Sequence, residues 1–199
     1  MTDPLLYYEI SSGRTLALGY SGALAILRAG FDKSGKHLAE FSSWASIGAV
    51  CESSQWLARR MQNAIRETSL PVVELGAGYG SVTRVLPAST VSIERDTKRF
   101  DALRTAFPER TILDCCAIPV LSQLDKPTVV VSSIPSVGNP EFDRLRAAIA
   151  RACKAGTIAE LVTYTYFPHD PLAGIFANSE MAGLEFLNIP PAFVWRYSC

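Results

Sequence analysis

Apolar residues are spaced differently in the two parts of this chain. Up to residue 70 they recur at helical intervals: Leu16, Leu18, Ala23, Ile26 and Leu27 first, a charged segment from Phe31 to Trp44 after Gly30, then Trp56, Leu57, Met61 and Ile65 on a broad face behind Ser53-Ser54. This predicts a helical segment before residue 70. From Pro71 onward, short apolar or β-branched runs alternate with amphipathic stretches. The runs predict strands at Val72–Leu75, Thr90–Ile93, Thr111–Leu113 and Thr128–Val131, and the stretches predict helices at Ser81–Leu86, Lys98–Phe107 and about Glu141–Lys154. Strands near Ile158–Tyr166, Leu184–Asn188 and Phe193–Tyr197 close the chain, the last two near enough to form an antiparallel hairpin. The alternation predicts an α/β fold with a mostly parallel sheet covered on both faces. Residues 1–50 are expected to form a helical cap in the same domain as residues 51–199, because no linker separates them. Right-handed crossovers would bring the carboxyl ends of the early strands to one ligand-binding edge.

Composition narrows the function classes. Of 199 residues 48% are hydrophobic, enough to bury a core, and Lys plus Arg equals Asp plus Glu at 19 each. A zero formal charge argues against an affinity built on nucleic-acid phosphates. No apolar run reaches the roughly 18 residues that span a bilayer, and the start of the chain, with Asp3 and Glu9, lacks a basic export signal. Five cysteines, no CxxC, and no ligand-like spacing to His37 or His169 speak against a disulfide framework or a structural metal site. A cytoplasmic protein without a metal is the expectation.

The most informative segment is Glu74-Leu75-Gly76-Ala77-Gly78-Tyr79-Gly80, between a strand and a predicted helix. Glycines there allow a sharp turn and close approach of a ligand to the backbone. Glu94, 20 residues after Glu74, ends the next strand, where a carboxylate can accept from ribose hydroxyls; Asp114 ends the third, where an acceptor can read an adenine amino group. Three readings compete: a nicotinamide dinucleotide, S-adenosylmethionine (SAM), and a turn without ligand. The third glycine falls one place early for G-x-G-x-x-G, with Ser81 in its stead, and Glu74 would face a pyrophosphate. SAM, whose sulfonium and ammonium are cationic, suits that carboxylate better.

With these motifs the chain resembles the class I SAM-dependent methyltransferases over about residues 45–199: VVELGAGYGSVTRVL is similar to their first motif, VSIERD to the acidic second-strand motif and TILDCCA to the third. Three further segments resemble the bacterial phospholipid N-methyltransferases: Ser46 to Ser54 before LARRM, Val130-Val131-Ser132-Ser133-Ile134-Pro135, and Asn188-Ile189-Pro190-Pro191-Ala192-Phe193-Val194-Trp195. Glu52 and Ser136 depart from that group's pattern, and the basic segment Arg28, Lys33, Lys36 is interrupted by Asp32. The resemblance implies a Rossmann-like sheet and a SAM site formed by Ser54, Glu74, Gly76, Gly78, Glu94, Asp114, Cys115 and Ser132. It also places Tyr166 and Ser132 at the reacting centre.

The expected activity is N-methylation of an amine, either a soluble small molecule or a phospholipid head group; the latter adds peripheral contact with the inner membrane face. Two alternatives stay open: intramolecular attack on the aminobutyryl carbon of SAM, releasing methylthioadenosine, and SAM binding without turnover. Tyr166 could orient the amine or cover its cationic form, or be an alternating strand residue like Tyr164. His169 reads as a loop residue, and Ser132, Ser133 and Ser136 lack the Asn and aromatic that hold a flipped RNA base.

Overall fold

The computed structural model describes residues 5–9, 15–19, 53–188 and 190–199. The chain divides into two units, Met1–Ile47 and Gly48–Cys199. In the first, β1 (Leu5–Glu9) and β2 (Thr15–Gly19) pair antiparallel, Leu5 opposite Gly19 and Glu9 opposite Thr15. Helix was expected here. The spacing of Leu16 and Leu18 is as compatible with a strand, and the intervening Ser-Ser-Gly is turn chemistry. The rest of the predicted helical cap lies outside the described residues.

The second unit opens with α1 (Gln55–Ala64). Ser54 Oγ caps it by accepting the Leu57 N–H at 3.2 Å, and Leu57, Ala58, Met61 and Ala64 form its buried face. β3 (Val72–Leu75), β4 (Val91–Glu94), α2 (Thr97–Ala106), β5 (Thr111–Asp114), α3 (Ala117–Ser122), β6 (Thr128–Ser132), α4 (Phe142–Lys154), β7 (Ile158–Thr165), β8 (Asn178–Glu185) and β9 (Ala192–Ser198) follow. They form a seven-stranded sheet in the order β5-β4-β3-β6-β7-β9-β8. The first five strands in that order are parallel, and β9 runs antiparallel to both β7 and β8.

Every residue of β3 and β6 is buried, as continuously apolar central strands require. Val73, Leu75, Ile93 and Val130 pack with α3 and α4 on one face, and Val72, Val129, Val131 and Val162 pack with α1 on the other. The chain leaves β3 for β4 and β5 on one side and returns to β6 on the opposite side. The crevice at that reversal, beyond the carboxyl ends of β3 and β6, is where such sheets bind ligands.

Several elements differ from expectation. Residues 81–86 are a run of turns, with Arg84 N–H bonding Gly80 O at 3.1 Å and Val85 N–H bonding Val82 O at 3.0 Å, because Pro87 stops the helix after one turn. The strand expected at Leu184–Asn188 ends earlier, at Glu185, and starts at Asn178, since pairing with β9 overrides the poor strand propensity of Asn178 and Gly183. Helix α3 is too short to leave a periodic signal. Cys153 and Cys199 are joined in a disulfide with Cα atoms 6.5 Å apart. The cysteine spacing did not announce it, because only the return of β9 beside β7 brings Cys199 to the end of α4. Among the described residues, no helix is long and apolar enough to cross a membrane.

Candidate functional site

The glycine loop is pinned to the neighbouring strand first by backbone hydrogen bonds. Gly76 and Ala77 N–H both donate to Ile93 O, at 2.9 and 3.0 Å, which turns the chain sharply at the end of β3. The loop glycines serve different ends. A Cβ at Gly76 would lie 2.7 Å from Ile134 Cγ1, and one at Gly80 would meet Leu103 Cδ1 at 2.8 Å and the Phe107 ring. These two positions are set by packing. At Gly78, φ is +60° and nothing lies within 4 Å of the Cβ direction, so this residue keeps the approach to the loop open.

Glu94 closes the other side. Its Oε2 accepts the Gly78 N–H at 2.8 Å, and its Oε1 accepts the Arg95 and Asp96 N–H groups at 2.9 and 2.8 Å. The side chain is thus immobilised at 5% exposure, with about one of its four lone-pair directions, on Oε2, still vacant. Asp114 stands in register with Glu94 on the adjoining edge strand and is exposed. Cys115 follows, half-buried with a free thiol, pushed up in pKa by burial and then by the neighbouring Cys116 and Asp114. Arg95 reaches from the end of β4 to Glu141 before α4, at 2.6 Å.

Glu74 is turned inward rather than toward the crevice. It is fully buried, and its Oε2 accepts from the hydroxyls of Thr83 (2.7 Å) and Ser92 (2.6 Å), clamping the residues after the loop to β4. Its Oε1 has no partner among the described residues. Burial raises its pKa, against the opposing pull of the two hydroxyls.

Ser132 ends β6 in register with Leu75. It is buried, its Oγ accepts the Ile134 N–H at 3.4 Å, and its carbonyl accepts the Thr163 hydroxyl. The next residue was missed in the sequence: Ser133 Oγ is buried at the same carboxyl edge without a hydrogen-bond partner among the described residues. Two adjacent serines ending a buried strand were the available signal.

Tyr166, just beyond β7, is half-buried on the α1 face, its ring edge-on to Tyr164 at 5.5 Å. Tyr164 in turn accepts from the Ser53 hydroxyl at 3.4 Å. Ser54, expected at the cofactor, caps α1 and donates its N–H to Asn188 Oδ1 at 2.9 Å. His169 is exposed. The structure therefore gathers Gly76, Gly78, Glu94, Asp114, Cys115 and Ser132 at one edge. Ser54 and Tyr166 stand at the α1 side, and Glu74 lies behind the loop. Among the described residues no cluster of His, Cys, Asp or Glu could hold a metal ion.

No family model and no curated protein matches the sequence. Solved structures do match in fold. The 23S rRNA methyltransferase ErmE superposes with a TM-score of 0.51 at 19% identity over 71% of this chain and 66% of that one, so this chain spans about two thirds of the ErmE length. Precorrin-6y C5,15-methyltransferase from Geobacter metallireducens gives 0.51 at 14% identity over 70% and 84%. The chain has the class I methyltransferase fold. The mostly parallel seven-stranded sheet with its antiparallel last hairpin belongs to that fold.

Proposed function

We propose that this protein is a SAM-dependent methyltransferase whose acceptor is an amine nitrogen. The observation that carries the reading is the pairing of Gly78 and Glu94: an open left-handed glycine whose N–H fixes a carboxylate that keeps a vacant acceptor direction for a ribose hydroxyl. Asp114 and Cys115 then flank the nucleobase, and Ser132 and Ser133 border the sulfonium end. Glu74 acts indirectly, holding the loop through Thr83 and Ser92. Methyl transfer is an in-line displacement: the amine lone pair forms the C–N bond, the S–CH3 pair returns to sulfur, and the product ammonium releases a proton to water. Alignment supplies much of the rate, and Tyr166 supports it by offering a ring face and hydroxyl to the nitrogen as charge develops.

The phospholipid-like segments support a head-group amine as the acceptor, and liposomes would then raise turnover. Product analysis tests the whole reading. The purified protein is incubated with SAM alone, then with soluble amines, then with liposomes containing an amine-bearing phospholipid. Adenosylhomocysteine only when an amine is present is the expected result. Methylthioadenosine from SAM alone would overturn methyl transfer, and neither product with any acceptor would leave a binding protein. Equal turnover of a soluble amine without membranes would move the acceptor to a soluble molecule.

A further inference from the structure

A second concavity, of about 310 Å³, lies between α1 and edge strand β8, lined by Trp56, Arg59, Arg60, Asn63, Ala182 and Glu185 among others. Trp56, Arg59, Arg60 and Asn63 stand at i, i+3, i+4 and i+7 on one face of α1, Ala64 adds to the lining from the end of the helix, and Leu57, Ala58 and Met61 fill the buried face. The floor is preorganised. Arg60 Nε donates to Glu185 Oε2 at 3.0 Å, and Glu185, only 8% exposed at its side chain, also accepts the Leu187 N–H at 2.9 Å. A Cβ at Gly183 would lie 2.7 Å from Arg60 Nη1, so the glycine makes room for the guanidinium against the strand. The β8–β9 register shifts between Met181 and Gly183, a bulge at Ala182 on the cleft wall. Bulges of this kind re-aim side chains at sheet edges.

Charge and shape then select a ligand. Glu185 neutralises Arg60, whereas Arg59 is exposed and has no ion-pair partner among the described residues. Trp56, 46% exposed, presents an indole beside it. A guanidinium with no ion-pair partner among the described residues, next to a flat apolar surface, suits an anion on an apolar body, because the planar fork binds carboxylate or phosphate oxygens in pairs. We propose that the α1–β8 cleft is a binding site for a small aromatic anion, a carboxylate or a phosphate ester, with Arg59 holding the anionic group and Trp56 stacking on the ring. The site is independent of the glycine loop and of SAM.

The test titrates the full chain with benzoate, phenyl phosphate, inorganic phosphate and benzylamine, followed by tryptophan fluorescence and calorimetry. At least one aromatic anion should saturate, and the two together distinguish a carboxylate from a phosphate site. Arg59→Gln and Trp56→Leu should each weaken that binding at least tenfold, Arg59→Lys less, and Gly78→Val should leave it unchanged. Circular dichroism of each variant checks that it is folded. Saturation by neither aromatic anion, undiminished binding in folded Arg59→Gln, equal binding of benzylamine, or inorganic phosphate as tight as phenyl phosphate would overturn the proposal. Loss of SAM binding elsewhere would not touch it.

Discussion

Asn188 Oδ1 accepts the Ser54 N–H at 2.9 Å while Asn188 Nδ2 donates to Pro190 O at 2.8 Å, so a single buried amide ties the start of α1 to the loop between β8 and β9. The Asn-Ile-Pro-Pro segment, the most distinctive stretch of the resemblance to lipid enzymes, therefore has a structural task. Asn188→Ala takes this partner from the half-buried Ser54 N–H and Pro190 carbonyl, at about 1–3 kcal/mol in all. Denaturant midpoints should fall accordingly, and Asn188→Asp should not rescue them at neutral pH, because it keeps the acceptor for Ser54 N–H but sets a buried carboxylate oxygen against Pro190 O.

The loop glycines should separate into two classes. Gly80→Ala, at φ +91° and in collision with Leu103 and Phe107, should destabilise by about 2 kcal/mol or more. Gly78→Val meets only open space and backbone strain, and should instead reduce SAM affinity in a protein that still folds. Thermal unfolding beside calorimetric titration distinguishes the two.

Glu94→Ala should weaken SAM binding roughly 10- to 150-fold, the loss of a charged acceptor at a buried ligand. It also releases the Gly78 N–H, so part of the loss should appear as a slower association rate. Unchanged affinity in a folded variant would reject the ribose assignment.

Glu74 makes stability depend on pH. Its pKa is raised by burial in the folded state, so the folded protein holds a proton that the unfolded chain releases. That contribution is complete below the ordinary carboxylate pKa and is lost as pH rises through the elevated folded value. Glu74→Gln should flatten this decline, which is read as the difference in unfolding free energy between the two proteins across pH 4 to 8.

Tyr166→Phe should leave SAM affinity nearly unchanged and slow turnover, because its hydroxyl matters most as charge redistributes. Tyr166→Ala should do more harm, since the ring that meets Tyr164 edge-on is lost as well. Steady-state kinetics with the acceptor identified by product analysis measures both.

The sequence by itself determined the parallel core of the sheet and the glycine turn after its central strand. Val72–Leu75 and Thr128–Ser132 are apolar enough to be buried on both faces, and the glycines after β3 with carboxylates ending β4 and β5 report chain geometry that is local in sequence. Tertiary structure decided which way each side chain turned. Glu74 looks like a ligand carboxylate in the sequence, yet Thr83 and Ser92, 9 and 18 residues away, draw it inward. Ser54 is claimed by Asn188 across 134 residues, and the cleft at Trp56 is formed between α1 and β8, which lie far apart in the sequence. The strands at Leu5–Glu9 and Thr15–Gly19 likewise depend on pairing with each other. Periodicity records which face of an element is buried; it carries no record of the partner on the other side, because that partner is set by contacts between residues far apart in the chain.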